Sequence, residues 1–170
     1  TRRLKPEPKL ADQLGGVAGL LGSWFPWLYG SALATFDGHA EAVPEATWLV
    51  QDSEYKWVMS KDIQEQQPDM FNAVNDLKRV KRFSGDYDVF GDGTVVIKYL
   101  PGHTPGHCAL FLDLPETGPL LLSGDLYHLS LNRLHKRVPI FNTDVKQTLA
   151  SMDAFEAFAE STGARGAGWK

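Results

Sequence analysis

Apolar positions fall into a regular pattern from Ala46 onward. Thr47-Trp48-Leu49-Val50 reads as a short strand, and Asp52 behind it is placed to cap a helix carrying Tyr55, Trp57, Val58 and Met59. After Pro68, the residues Phe71, Val74, Leu77 and Val80 recur at threes. That spacing predicts a second amphipathic helix, with Asn72, Asn75, Asp76, Lys78 and Arg79 on its other face. Strands then follow in close succession. Tyr87–Phe90 and Val95–Tyr99 flank Asp92-Gly93, a strong hairpin signal, and Cys108–Leu112 and Leu120–Leu122 flank the turn Pro115-Glu116-Thr117-Gly118. A last helix is predicted from Asp144, with Gln147 three residues on as in a capping arrangement. Its Val145, Leu149, Met152, Phe155 and Ala159 stand at helical spacing, and Gly163 closes it. The mixture is α/β, without an internal repeat.

Residues 1–45 follow no such pattern. Leu14 to Phe36 carries no charge and Arg2, Arg3 and Lys5 precede it, so a signal peptide or membrane span comes into question. Gly15, Gly16, Gly19, Gly22, Gly30 and Pro26 break the run, and Glu7 and Asp12 interrupt the basic leader. The first expectation for 1–45 is an irregular or degenerate segment, the second a signal peptide and the last a membrane helix, followed by one domain over 46–170. Thr1 in place of Met points to a longer reading frame, to processing or to an incomplete record.

Composition narrows the function classes. With 170 residues, 43% of them apolar, there is material for a sizeable core. A net charge of −4 provides no basic face for nucleic acid, and Lys78-Arg79-Val80-Lys81-Arg82 reads as the solvated end of a helix. The single cysteine, Cys108, has no partner for an internal disulfide and is read as a small buried residue opening a strand, not as a nucleophile. It leaves the compartment open, and a cytoplasmic location is the expectation.

Chemistry concentrates in Pro101-Gly102-His103-Thr104-Pro105-Gly106-His107, between two predicted strands. Glycine and proline there fix a tight loop holding two imidazoles, which are ready zinc ligands when neutral. The second piece is Leu121-Leu122-Ser123-Gly124-Asp125, a strand ending in a carboxylate. If the chain runs out along 108–112 and returns along 120–123, Asp125 comes back to the sheet edge where His103 and His107 lie. Taken singly, Pro-Gly-His could be a turn and Gly-Asp a hairpin end; their combination favours a site.

These two motifs resemble the third and fourth metal motifs of the metallo-β-lactamase superfamily, in its branch of lactonase-like hydrolases related to N-acyl-homoserine lactonases. Gly124-Asp125-Leu126-Tyr127-His128, Asn132-Arg133 and Val138–Asp144 extend the likeness, over roughly residues 46–163. The resemblance implies an αββα sandwich of which this chain has mainly the C-terminal αβ half. It implies two zinc ions, with His103 as a ligand, Asp125 bridging the metals and His107 as a structural neighbour. It further implies a lactone or ester substrate opened by a hydroxide generated at the metals. Tyr127 or His128 would then hydrogen-bond the substrate carbonyl or leaving oxygen, or simply pack, while Arg133 and His135 would sit on a surface loop. Thioesterase-like glyoxalase II relatives, phosphotriesterases and β-lactamases share the motifs.

Two departures qualify what the resemblance implies. The superfamily's His-x-His-x-Asp-His loop belongs just before the Thr47 strand, where this chain reads Ser31-Ala32-Leu33-Ala34-Thr35-Phe36-Asp37-Gly38-His39. An ungapped placement puts no histidine in a ligand position, and a two-residue deletion keeps only Asp37, with His39 an ordinary loop residue. The histidine expected after the last helix and its following strand is also missing from Ala164–Lys170. A catalytic zinc site usually has three protein ligands, and His103 with Asp125 makes two. A non-catalytic truncated or degenerate homologue is therefore the competing expectation.

Overall fold

The computed structural model describes residues 47–72, 74–75 and 77–167. The segment 1–45 and the candidates Asp37 and His39 lie outside them. Among the described residues no helix is long and apolar enough to cross a membrane.

Strand β1 (Trp48–Gln51) leads directly into helix α1 (Asp52–Val58). Asp52 was expected as its cap, but Gln51 stands at that position without a capping side-chain bond. Asp52 instead sits in the first turn, where its carboxylate meets Lys56 at 2.5 Å and pairs with Arg82, a favourable place for negative charge at a helix start. Helix α2 (Lys61–Gln66), capped by Ser60, precedes Pro68; of the helix predicted after Pro68 only α3 (Pro68–Asn72) is helical among the described residues, and Val80 belongs instead to β2 (Val80–Phe83), which pairs in parallel with β1 from Trp48↔Val80 to Gln51↔Phe83. The threefold spacing is satisfied another way, because Phe71 and Val74 pack on a small cluster of Val58, Ile63 and Met70. The basic run accordingly belongs to a strand, with Arg82 over the Tyr55 ring at 4.7 Å and Lys81 over the Tyr87 ring at 4.9 Å.

The main sheet has five strands in the order β3-β4-β5-β6-β7. Both hairpins read from the sequence are present. β3 (Tyr87–Asp88) and β4 (Val95–Tyr99) pair through Tyr87↔Ile97, and β5 (Cys108–Leu114) and β6 (Gly118–Leu122) through Phe111↔Leu121. Between them, β4 and β5 align Tyr99 with Cys108. The predicted last helix is α5 (Val145–Thr162), following α4 (Ser130–His135). Asp144 accepts from the Gln147 amide at its start, and Gly163 ends it.

Alternation along β5 divides two cores. Ala109 and Phe111 face α5, with Leu121, Leu126, Tyr127, Met152, Phe155 and Ala159. Cys108 and Leu110 face the opposite way, with Leu49, Val95 and Ile97, so both faces of the sheet are covered and the β5 run is apolar throughout. Burial pushes the Cys108 thiol well above its ordinary range, as the reading of an inert cysteine requires.

One expectation near the C-terminus needs correction. Arg133 and His135 lie on α4, not on a loop, and Arg133 clamps Glu156 of α5 at 2.7 Å while donating to the Gly166 carbonyl. After Gly163, Arg165–Ala167 forms β7, pairing in parallel with β6 at Leu120↔Arg165. The α4 residues Leu131 and Leu134, with Ile140 and Phe141 beyond them, remain exposed apolar surface.

Candidate functional site

Leu100 and His107 close the loop between β4 and β5 with a backbone bond of 2.9 Å. On one side the loop is tied to the start of α5. The Asp144 amide donates to Gly102 O (2.9 Å), the Thr143 amide to His103 O (3.0 Å), and the Ser151 hydroxyl to Pro101 O (2.6 Å). Contact here is so close that only glycine fits at position 102. Its φ is +128°, and a Cβ would fall 2.6 Å from the Thr148 Cα.

On the other side the loop leans on α1. The Gly106 amide donates to the Glu54 Oε2 at 2.7 Å, and the Ser53 hydroxyl donates to Pro105 O at 2.9 Å. Tyr99 adds a bond from its hydroxyl to the same carbonyl at 3.0 Å. Glu54 is 6% exposed, and burial pushes its carboxyl up to about 7 against the opposing influence of the Thr104 hydroxyl and Gly106 amide. A carboxyl in so dry a place is retained for what it holds, namely the loop backbone.

The loop delivers the two histidines into different roles. His107 donates from Nδ1 to Leu100 O at 2.8 Å and accepts at Nε2 from the Asp125 amide at 3.1 Å. Desolvation lowers it to about 3, so the ring stays neutral and serves as a backbone brace. It also fixes where β6 hands over to the short 3-10 turn Gly124–Leu126 that carries Asp125. His103, 1% exposed, sits with its Nε2 3.8 Å from Asp125 Oδ2. Burial is the first influence on His103 and lowers it, opposed by the Asp125 charge and the Asn142 hydrogen bond, so neutral imidazole is favoured.

Around this pair stand His128 and Phe141. The His128 ring is centred 5.3 Å from that of His103 and 4.9 Å from Phe141. Among the described residues its buried Nδ1 has no hydrogen-bond partner. Tyr127, read from the sequence as either substrate-facing or packing, turns into the core. Its hydroxyl donates to Glu156 at 3.0 Å and its ring meets Phe155 at 5.4 Å, edge to face. Those contacts direct the side chain toward α5.

A zinc ion with tetrahedral ligands at about 2.05 Å holds neighbouring donors about 3.4 Å apart. The 3.8 Å between His103 Nε2 and Asp125 Oδ2 is close to that spacing and too long for a direct hydrogen bond. A neutral imidazole and a carboxylate so placed fit as a pair of metal ligands. Among the described residues, no group of three or more His, Cys, Asp or Glu side chains is placed to hold a metal ion.

Sequence reasoning missed Glu54 and Asn142. Glu54 carried a usable signal, since it lies four residues before buried Val58 and so on the inward stripe of α1. Asn142 lies in the Val138–Asp144 stretch of the likeness, but its position beside His103 depends on how α5 docks.

No protein-family model matches the chain. The N-acyl homoserine lactonase AttM of Azorhizobium caulinodans is 31% identical over 134 residues, which is 72% of this chain and 48% of that protein. A solved N-acyl homoserine lactone hydrolase, with the product N-hexanoyl-L-homoserine at its catalytic metal centre, superposes with a TM-score of 0.63 at 24% identity, covering 75% of this chain and 48% of that one. AidC, a dizinc quorum-quenching lactonase, superposes with a TM-score of 0.58 at 17% identity, over 74% of this chain and 48% of its own. The chain thus spans about half the length of the relatives it matches.

Proposed function

We propose, for a chain that belongs to the metallo-β-lactamase superfamily as a homologue of N-acyl homoserine lactonases, that it carries part of a zinc-dependent lactone-hydrolase site. The observation behind this reading is the approach of His103 Nε2 to Asp125 Oδ2 at one end of the sheet. His103 and Asp125 would hold the metal. Once bound, zinc supplies Lewis acidity toward a carbonyl and toward water. The chain's own residues bind and orient. His107 braces the Asp125 backbone, and Phe141 and His128 pack around the His103 ring. A small lactone is the proposed substrate class, and two zinc ions are the proposed full complement, as in the dizinc relative.

The lack of a three-ligand group among the described residues favours a second reading, in which this polypeptide binds metal weakly and does not turn over substrate. Zinc content after purification without chelator separates the two. Under the first reading zinc copurifies and is lost from His103→Ala and Asp125→Ala, and acid release from an acyl homoserine lactone follows zinc occupancy. Near-zero zinc with no lactone opening at saturating added zinc would leave only the second.

A further inference from the structure

We propose that Asn142 is the positioning residue that sets the ring of His103 for metal binding, an inference that rests on the metal reading of the His103–Asp125 pair. The assignment follows from a chain of hydrogen bonds running back to α5. Thr148 donates its hydroxyl proton to Asp144 O at 2.7 Å, so its oxygen is left to accept. The group it accepts from is the Asn142 Nδ2, at 3.0 Å. An amide whose nitrogen faces Thr148 presents its oxygen on the other side, where Asn142 Oδ1 lies 3.3 Å from His103 Nδ1. A carbonyl oxygen only accepts, and therefore the proton of the neutral imidazole sits on Nδ1. The Nε2 lone pair is thereby placed on the edge of the ring that lies 3.8 Å from Asp125 Oδ2.

Backbone bonds keep the device in register. Thr143 and Asp144 donate to His103 O and Gly102 O, which pins the residues after Asn142 to the same loop whose imidazole it holds. Thr148 is fully buried in the first turns of α5, so the far end of the relay has little freedom. A group that orients a metal ligand through its other ring nitrogen tunes affinity without touching the ion.

The test uses the full chain, zinc alone as probe, and Asn142→Asp and Asn142→Leu. Nitrogen NMR of the metal-free protein should find the Nδ1–H tautomer at His103 in the parent and in Asn142→Asp. The Leu variant should lose that bias. Zinc affinity, from competition with a chromophoric chelator, should drop roughly 10- to 100-fold in Asn142→Leu and hold or rise in Asn142→Asp, whose carboxylate accepts the same proton more strongly. A merely structural asparagine would weaken both variants alike. Should the parent bind no zinc, the metal reading fails, while the tautomer still decides the role of Asn142. An Nε2–H tautomer in the parent, or unchanged tautomer and affinity in Asn142→Leu, would overturn the inference.

Discussion

Gly102→Ala is expected to destabilise the protein by about 4 kcal/mol, combining backbone strain and overpacking of about 1–3 kcal/mol each. A φ of +128° is unfavourable for any residue with a Cβ, and the added carbon would strike the Thr148 backbone, not a flexible side-chain tip. Relief would need either the loop or the first turn of α5 to move. Both are held by the bonds from Asp144 to Gly102 and from Thr143 to His103, so moving one breaks the contacts that place His103. Urea unfolding gives the answer directly. The midpoint should fall with little change in slope, and a midpoint near that of the parent would mean that α5 yields easily and the clamp is loose.

The second large effect concerns pH. Glu54 has its folded-state carboxyl raised from 4.5 to about 7, so the folded protein holds that proton more tightly than the unfolded chain does. Its protonation therefore contributes stability that is fully present below about 4.5 and is lost as pH rises through about 7. The span corresponds to about 3 kcal/mol. His107 works in the opposite sense, its lowered value giving stability that is present above 6.5 and lost as pH falls toward 3. A comparison of the parent with Glu54→Gln isolates the carboxyl, because His107 is common to both. The variant should gain on the parent by about 3 kcal/mol between pH 4.5 and 7 and run parallel above it. Parallel curves across the whole range would show that Glu54 is ionised and well paired when folded.

Elements fixed by local chemistry were legible in the sequence. The Asp144 cap with Gln147, the end at Gly163 and the Asp92-Gly93 and Pro115–Gly118 turns each depend on a few consecutive residues. The His103–Asp125 approach was legible for the same reason, since one hairpin returns the carboxylate to the loop. Decisions made between distant segments were not. Val80 follows a helical spacing, and only its parallel pairing with Trp48 makes it a strand residue. α4 is short and its Leu131 and Leu134 stay exposed, so the Arg133–Glu156 clamp that anchors it cannot be anticipated from its own residues. The edge-to-face contact of Tyr127 with Phe155 likewise joins residues far apart in the chain.

The sheet order also sets a sequence of events during folding. Strands β3 to β6 are joined by short antiparallel turns, whereas β6 and β7 meet in parallel only after α4 and α5 have crossed between them. Closing small loops is entropically cheaper and faster than closing a long crossover. His103 and Asp125 lie within the early meander and Asn142 arrives with the late helix. The His103–Asp125 approach should thus form before the His103 ring is oriented, and pulsed hydrogen exchange should protect the Leu110 and Phe111 amides ahead of those of Met152 and Phe155.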